Sequence, residues 1–158
     1  MLVQRYQDRV NNIVYSLTNK AGYADDISQE VFIKIYQKLG SFRQKSAFST
    51  WLYRITVNTT YNYLKKEKRY VPLDDHAETL EQPDASVKGL DLQEKQELIK
   101  HALIKLPFNY RSVIIFKDIE GLSYKEIAQS LGCRLGTVES RLFRARNMLR
   151  KIIKDTRG

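Results

Sequence analysis

The stretch Gly121-Leu122-Ser123-Tyr124-Lys125-Glu126-Ile127-Ala128-Gln129-Ser130-Leu131-Gly132-Cys133-Arg134-Leu135-Gly136-Thr137-Val138-Glu139-Ser140-Arg141-Leu142-Phe143-Arg144-Ala145-Arg146 decides how the chain is read. Ser123, with Glu126 three residues later, forms a capping box that starts a helix. Ile127, Ala128 and Leu131 make the inner face of that helix, and the small Ala128 lets a second helix cross closely. Gly132 stands where a helix ends in a left-handed residue, a conformation glycine adopts without steric cost. The second helix begins near Gly136-Thr137. Its apolar residues Val138, Leu142, Ala145 and Leu149 recur at helical spacing and form a buried stripe. The opposite side shows Thr137, Ser140, Arg141 and Arg144, flanked by Arg146, Arg150 and Lys151. This is the pattern of a helix-turn-helix, whose second helix presents its first residues to base edges in the major groove. Arginine pairs two donors with guanine O6 and N7, and the flanking cations neutralise phosphates. The alternative is a basic helical hairpin that binds nothing. Glu139 is an acid on this helix; it sits badly against phosphate and must face a base edge or solvent.

Working outward, Leu98 and Ala102 mark a preceding helix that stops at Leu106-Pro107, and Tyr110 to Glu120 reads as another with Val113, Ile114 and Phe116 apolar. Upstream, the charge changes sign. Residues 94–158 carry 14 Lys and Arg against 7 Asp and Glu, residues 71–93 one Lys against six acids, and residues 1–70 twelve basic residues against five acids. Pro72 and Pro83 fall in the acidic stretch. Two basic blocks around a short acidic, proline-bearing segment read as two binding modules and a linker; a solvated loop inside one domain is the alternative. The first block is also helical in period. Val10, Ile13, Val14 and Leu17 share a face, as do Ile27, Val31, Ile35 and Leu39 in the run from Asp25, and Trp51, Leu52, Ile55 and Thr59 follow similar spacing, with a loop at Gly40-Ser41-Phe42-Arg43. Gly (7) and Pro (3) are few among 158 residues, which argues against tight β-turns. The expected fold is therefore all-α: two small helical domains, 1–69 and 94–158, joined by a flexible acidic linker, 70–93, the second domain with a helix-turn-helix.

A formal charge of +9 points to a polyanionic partner, nucleic acid or an anionic surface. The single cysteine, Cys133, permits no intramolecular disulfide and fits a reducing cytosol. No apolar run approaches the roughly 20 residues of a membrane span. The N-terminus MLVQRYQDRV is charged within five residues and is no secretory signal, so the expected location is cytoplasmic. His76 and His101 lie far apart, and no HxxxH, CxxC, glycine-rich phosphate loop or triad-like grouping appears. No enzyme activity, cofactor, metal or small-molecule substrate is expected.

The first block carries two further constellations. Asp25, Asp26 and Glu30 put acids on a basic domain. Two readings stay open: Asp25 and Asp26 favour a helix start through dipole and cap, or the segment is an acidic, polar docking face for a basic partner protein. In residues 42–63, Phe42, Phe48, Trp51, Tyr53, Tyr61 and Tyr63 interleave with Arg43, Lys45 and Arg54, followed by Lys65, Lys66, Lys68 and Arg69. Aromatics beside cations hold unstacked bases and their backbone, and Ser46, Ser49, Asn58 and Asn62 can hydrogen-bond base edges. The alternative is that most of the aromatics, Trp51 above all, are core.

With these segments in order, the chain resembles the extracytoplasmic-function group of sigma-70-type factors. The likeness rests on Tyr6-Gln7-Asp8-Arg9, Asp25-Asp26-Ile27-Ser28-Gln29-Glu30-Val31-Phe32, Phe48-Ser49-Thr50-Trp51-Leu52-Tyr53-Arg54-Ile55 with Asn58, Leu106-Pro107, Gly121 to Ala128, and Gly136 to Arg146. It implies a region 2-like first domain and a region 4-like second. It implies that Asp25, Asp26, Gln29, Glu30 and Phe32 dock on core RNA polymerase, at the β′ clamp helices, with β the other subunit contacted. It implies that Phe42, Arg43, Ser46, Phe48, Trp51, Arg54, Asn58, Asn62 and Lys65 capture a flipped base and read the −10 element as single strand, and that Thr137, Glu139, Ser140, Arg141, Phe143 and Arg144 read the −35 element as duplex. An anti-sigma factor is the further partner implied. The acidic linker resembles the segment that in this family runs near the polymerase active-centre cleft, where its charge would mimic nucleic acid. Two positions depart from the family pattern: Arg134-Leu135, where proline is common before the recognition helix, and Glu139. Both bear on −35 preference and not on the fold. The rival readings are a helix-turn-helix repressor, which leaves the first block unused, and a membrane-surface protein, which the polar neighbours of the aromatics argue against.

Overall fold

The computed structural model describes residues 2–42, 47–70 and 91–157. Among them the regular structure is entirely helical. Three helices form the first module: α1 (Leu2–Thr18), α2 (Ala21–Lys38) and α3 (Phe48–Tyr70). Four form the second: α4 (Leu92–Ile104), α5 (Phe108–Ile114), α6 (Tyr124–Leu131) and α7 (Leu135–Arg157). Residues 71–90 of the expected linker lie outside the described residues.

In the first module α1 buries Val10, Ile13, Val14 and Leu17, the stripe that its sequence spacing dictates. Asn19 ends it in the left-handed region, φ 53°, with its N–H donating to the Tyr15 carbonyl at 2.7 Å; asparagine tolerates this conformation better than most side chains. From Lys20 the chain turns directly into α2, four residues ahead of the expected start at Asp25. Ala24, Ile27, Ser28, Val31 and Ile35 of α2 face inward. A short 3₁₀ turn, Leu39–Ser41, closes the helix where a loop was expected. Helix α3 is buried over much of its circumference, by Leu52, Tyr53, Ile55, Thr56, Val57, Thr59 and Thr60. The buried threonines do not waste their hydroxyls: Thr56 Oγ1 donates to the Leu52 carbonyl at 2.8 Å and Thr60 Oγ1 to that of Thr56 at 2.7 Å, the back-bond open to threonine within a helix.

The second module opens on a capping box. The Asp91 carboxylate accepts from the Glu94 N–H, and the Glu94 carboxylate accepts from the Asp91 N–H, so α4 starts at Leu92, two residues before the expected boundary. Pro107, fixed near φ −52°, sets α5 going at Phe108 and not at Tyr110. The helix expected to run on to Glu120 widens instead into a π turn, Ile115–Ile119, which ends at Gly121 with φ 71°. Ser123 and Glu126 form the capping box of α6, and Gly132 closes it at φ 65°, ψ 39°. Val138, Leu142 and Ala145 of α7 are fully buried; α7 begins at Leu135, slightly ahead of the expected Gly136-Thr137.

The two modules pack on each other, and one continuous core runs through both. Helix α3 lies against α6, and α1 touches α4, α5 and the π turn. At the centre is Arg111. Its guanidinium is buried with no acid beside it among the described residues, and it donates to four backbone carbonyls: Leu103 (3.0 Å), Ile104 (3.0 Å) and Leu106 (2.8 Å) at the end of α4, and Leu17 (2.6 Å) at the end of α1. Apart from that of Leu103, which also accepts from the Leu106 N–H at 3.1 Å, these are carbonyls of the kind that helix ends leave without partners. Burial lowers the Arg111 pKa to about 10. Nearby, Arg9 pairs with Glu120 at 3.1 Å and lies over the Tyr53 ring, which packs on Phe116 with centroids 5.9 Å apart. The Tyr53 hydroxyl is buried without a hydrogen-bond partner among the described residues, and burial pushes its pKa up to about 12.

Gly132 meets this interface too. A Cβ at this position would lie 2.5 Å from a guanidinium nitrogen of Arg54. The Arg54 side chain can turn aside, but the left-handed backbone cannot be relieved. Gly132→Ala is therefore expected to cost ~1–2 kcal/mol, a fall of roughly 2–8 °C in Tm; an unchanged thermal midpoint would contradict the strain argument.

Candidate functional site

Three exposed surfaces carry the residues singled out from the sequence. The first runs along α3. Trp51, Arg54, Asn58, Asn62 and Lys65 recur at three- and four-residue intervals and so share one face of the helix, a stripe of about 21 Å at 1.5 Å per residue. Arg54, Asn58, Asn62 and Lys65 are exposed and Trp51 is half-buried. Trp51 is thus not wholly core: its ring lies 5.0 Å from Phe42 and 5.6 Å from Phe48, and Phe42 meets Phe48 edge-on at 5.6 Å. Tyr6 of α1 joins the group at 5.6 Å from Phe48, an aromatic neighbour that sequence reasoning had singled out only as part of the family likeness. Arg43 and Ser46 lie outside the described residues. The guanidinium of Arg54 rests against the turn of the other module at Gly132, beside a shallow groove that also includes Lys125, Ala128, Gln129 and the half-buried Cys133.

The second surface is on α2. Asp25, Asp26, Gln29 and Glu30 are all exposed, and Phe32 is half-buried against the core. The structure removes one of the two readings left open for the acids. The N-cap of α2 is Lys20, the first turn holds no acid, and Asp25 and Asp26 sit beyond it, where neither caps the helix nor feels the full end charge of the dipole. Glu30 is partly spoken for, by Lys34 at 3.4 Å. Ile33 and Tyr36, 56% and 62% exposed, extend this face with apolar surface. Their four- and seven-residue offsets from Gln29 were the signal available for them.

The third surface is the outer side of α7. Glu139, Ser140, Phe143 and Arg144 are exposed, with Phe143 at 70%, while Thr137 and Arg141 are half-buried. The Ser140 hydroxyl donates to the Thr137 carbonyl at 3.2 Å. Arg146 departs from the phosphate-neutralising part expected of it. It grips Asp118 with two hydrogen bonds, 2.6 and 3.2 Å, and that partner raises its pKa. Arg150 and Lys151 remain exposed further along. Such a helix, preceded by a capped helix and a left-handed glycine, offers duplex DNA an arginine-bearing edge backed by cations.

Residues 2–70 match the family model for Sigma-70 region 2, and residues 96–149 that for Sigma-70, region 4. The chain is 42% identical to the ECF RNA polymerase sigma-E factor of Escherichia coli K12 over 159 residues, covering 94% of this chain and 83% of that one. It is 37% identical to the RNA polymerase sigma-H factor of Pseudomonas aeruginosa over 164 residues, covering 98% and 85%. Among solved structures, the sigma factor RpoE of Bartonella quintana, co-crystallised with the anti-sigma factor NepR, superposes with a TM-score of 0.76 at 31% identity, over 96% of this chain and 94% of that one.

Proposed function

This chain belongs to the sigma-70 family, in its extracytoplasmic-function group, and from that premise we propose how its three surfaces divide the work. Its function is promoter-specific initiation: it binds RNA polymerase core, directs it to promoters through their −10 and −35 elements, and promotes melting. Sigma factors are regulatory proteins rather than catalysts.

The α2 face with Asp25, Asp26, Gln29, Glu30 and Phe32 docks on core polymerase. The α3 stripe with Phe42, Phe48, Trp51, Arg54, Asn58, Asn62 and Lys65, continued by Arg43 and Ser46 of the preceding segment, holds the −10 element as unpaired strand. The outer side of α7, with Thr137, Glu139, Ser140, Arg141, Phe143 and Arg144, reads the −35 element as duplex. In domain terms, residues 1–69 dock and melt, 94–158 read duplex, and 70–93 tether the two. The observation that carries this division is that an exposed amide and basic stripe beside half-buried aromatics and an exposed helix-turn-helix edge sit on different modules of one chain. Each module binds weakly alone, and tethering raises the effective concentration of the second once the first is bound. Unstacking a base costs a few kcal/mol, which a pocket for the extruded base offsets, so opening draws on binding energy. The protein acts in the cytoplasm, where core polymerase and promoter DNA are found. An anti-sigma factor is a further partner, as NepR is for RpoE of Bartonella quintana.

The test is reconstitution. Purified protein mixed with bacterial core polymerase is expected to form a stable complex and to start transcription at discrete sites on genomic fragments. Asp25→Ala with Gln29→Ala is expected to weaken core binding by roughly tenfold or more, the equivalent of ~1.4 kcal/mol, without altering the thermal midpoint. Unchanged affinity in a pull-down would remove the docking assignment. Tight specific DNA binding by the protein alone, without core, would favour a helix-turn-helix repressor.

A further inference from the structure

Tyr61 lies on α3 three residues after Asn58 and four before Lys65, beside Asn62, at the edge of the stripe assigned to the unpaired −10 strand. It is 45% exposed and takes no part in the core. Its aromatic neighbour among the described residues is Phe108, the first residue of α5 in the other module, with ring centroids 5.3 Å apart and planes inclined by 52°. Phe108 is held firmly from behind: the Arg111 guanidinium lies 5.9 Å from its ring centre, and that guanidinium is fixed by its four carbonyls.

This pairing does not survive promoter binding. Elements 25 base pairs apart along B-DNA are separated by on the order of 80 Å, at roughly 34–36 Å per turn, whereas here the two modules touch. The segment between Tyr70 and Asp91 extends to at most about 70 Å, enough, with the modules' own dimensions, for the two to part and reach both elements. Parting strips Tyr61 of Phe108 and leaves a flat ring between amides and cations, the surroundings in which aromatic side chains stack on unpaired bases.

We propose that Tyr61 is a strand-contacting residue that stacks on an unpaired base of the −10 region, and that in the closed chain Phe108 occupies the place of that base. The proposal rests on the assignment of the α3 stripe to single-stranded DNA. The stacking tolerates any base, so Tyr61 contributes to holding the melted strand more than to its sequence preference, which falls to Asn58 and Asn62.

The experiment uses holoenzyme and a labelled single-stranded oligonucleotide carrying the non-template strand of a promoter at which that holoenzyme initiates, with the duplex −35 segment as control. Y61A and Y61L, the second keeping bulk without a π face, are expected to weaken strand binding by roughly five- to a hundredfold and to leave duplex binding unchanged. Y61F and Y61W are expected to restore it. In the protein without core, F108A is expected to raise affinity for the same strand. Strand binding unaffected by Y61A and Y61L overturns the proposal, and an F108A chain that binds no better than the parent overturns the part given to Phe108. The underlying assignment fails separately. If N58A and N62A bind normally while Y61A does not, the asparagine assignment falls and Tyr61 stands. If N58A and N62A lose the strand and Y61A keeps it, the assignment stands and the proposal falls.

Discussion

Replacing Arg111 by leucine is expected to lower the thermal midpoint by roughly 6–20 °C, the effect of ~3–5 kcal/mol on a chain of this size. Leucine fills part of the volume but leaves the carbonyls of Leu17 and Leu106 buried without the guanidinium's donors and that of Ile104 half-buried without them, while Leu103 keeps the Leu106 N–H. Each buried acceptor without a donor costs about 1–3 kcal/mol, only partly recovered by relaxation. Lysine, with three donors on one nitrogen and no fork, is expected to restore less than half of the loss. The effect has no pH dependence near neutrality. Burial holds the folded-state pKa at about 10, below the ordinary guanidinium range, so only above about 10 does the unfolded chain hold a proton that the folded chain has lost; below it the guanidinium is charged in both. Calorimetry of R111L and R111K checks this, and a leucine variant that melts with the parent would mean that the four hydrogen bonds contribute nothing net.

Arg144→Ala is expected to flatten the −35 preference at one or two positions, costing ~1–3 kcal/mol of discrimination while leaving the fold intact, since its side chain is exposed. Lys151→Ala is expected to weaken all promoters alike and to reduce the salt dependence of binding by about one ion. The same promoter library selected by the parent and by R144A checks both. Identical preferences would remove Arg144 from the reading surface. Arg146→Ala, by contrast, is expected to spare preference and cost stability, because the residue is engaged with Asp118.

The features legible in the sequence were those set by local rules. Ser123 and Glu126, Gly132, and the apolar series from Val138 specify their own conformations, and α6 and α7 lie where those rules put them. Residues whose setting depends on another element were not legible. Thr56 and Thr60 look like surface residues by type, yet are buried in packed helical faces. Arg111 looks like one more surface cation, and only the meeting of two helix ends turns it inward. The start of α2 was hidden because Lys20 makes no side-chain cap bond, which drew attention to Asp25 and Asp26 as a helix start. The α3 stripe was half legible. Asn58, Asn62 and Lys65 were chosen by type and by resemblance, and Tyr61 stood among the aromatics set beside cations; their shared face follows from spacing, but the contact of Tyr61 with Phe108 lies between modules and had no signal in the sequence.

The contacts that join the modules are made by side chains: Arg111 to the Leu17 carbonyl, Arg9 to Glu120, Tyr53 on Phe116, Tyr61 on Phe108. Among the described residues no hydrogen bond between backbone N–H and backbone C=O crosses from one module to the other. Parting therefore breaks no backbone hydrogen bond: every such bond of α3 and α6 keeps its partner within its own helix. What parting removes is packing, since the core is shared, so its trace in amide exchange is a loss of local stability in the helices left uncovered and not the release of particular amides, while a pair of distance labels reports the separation itself.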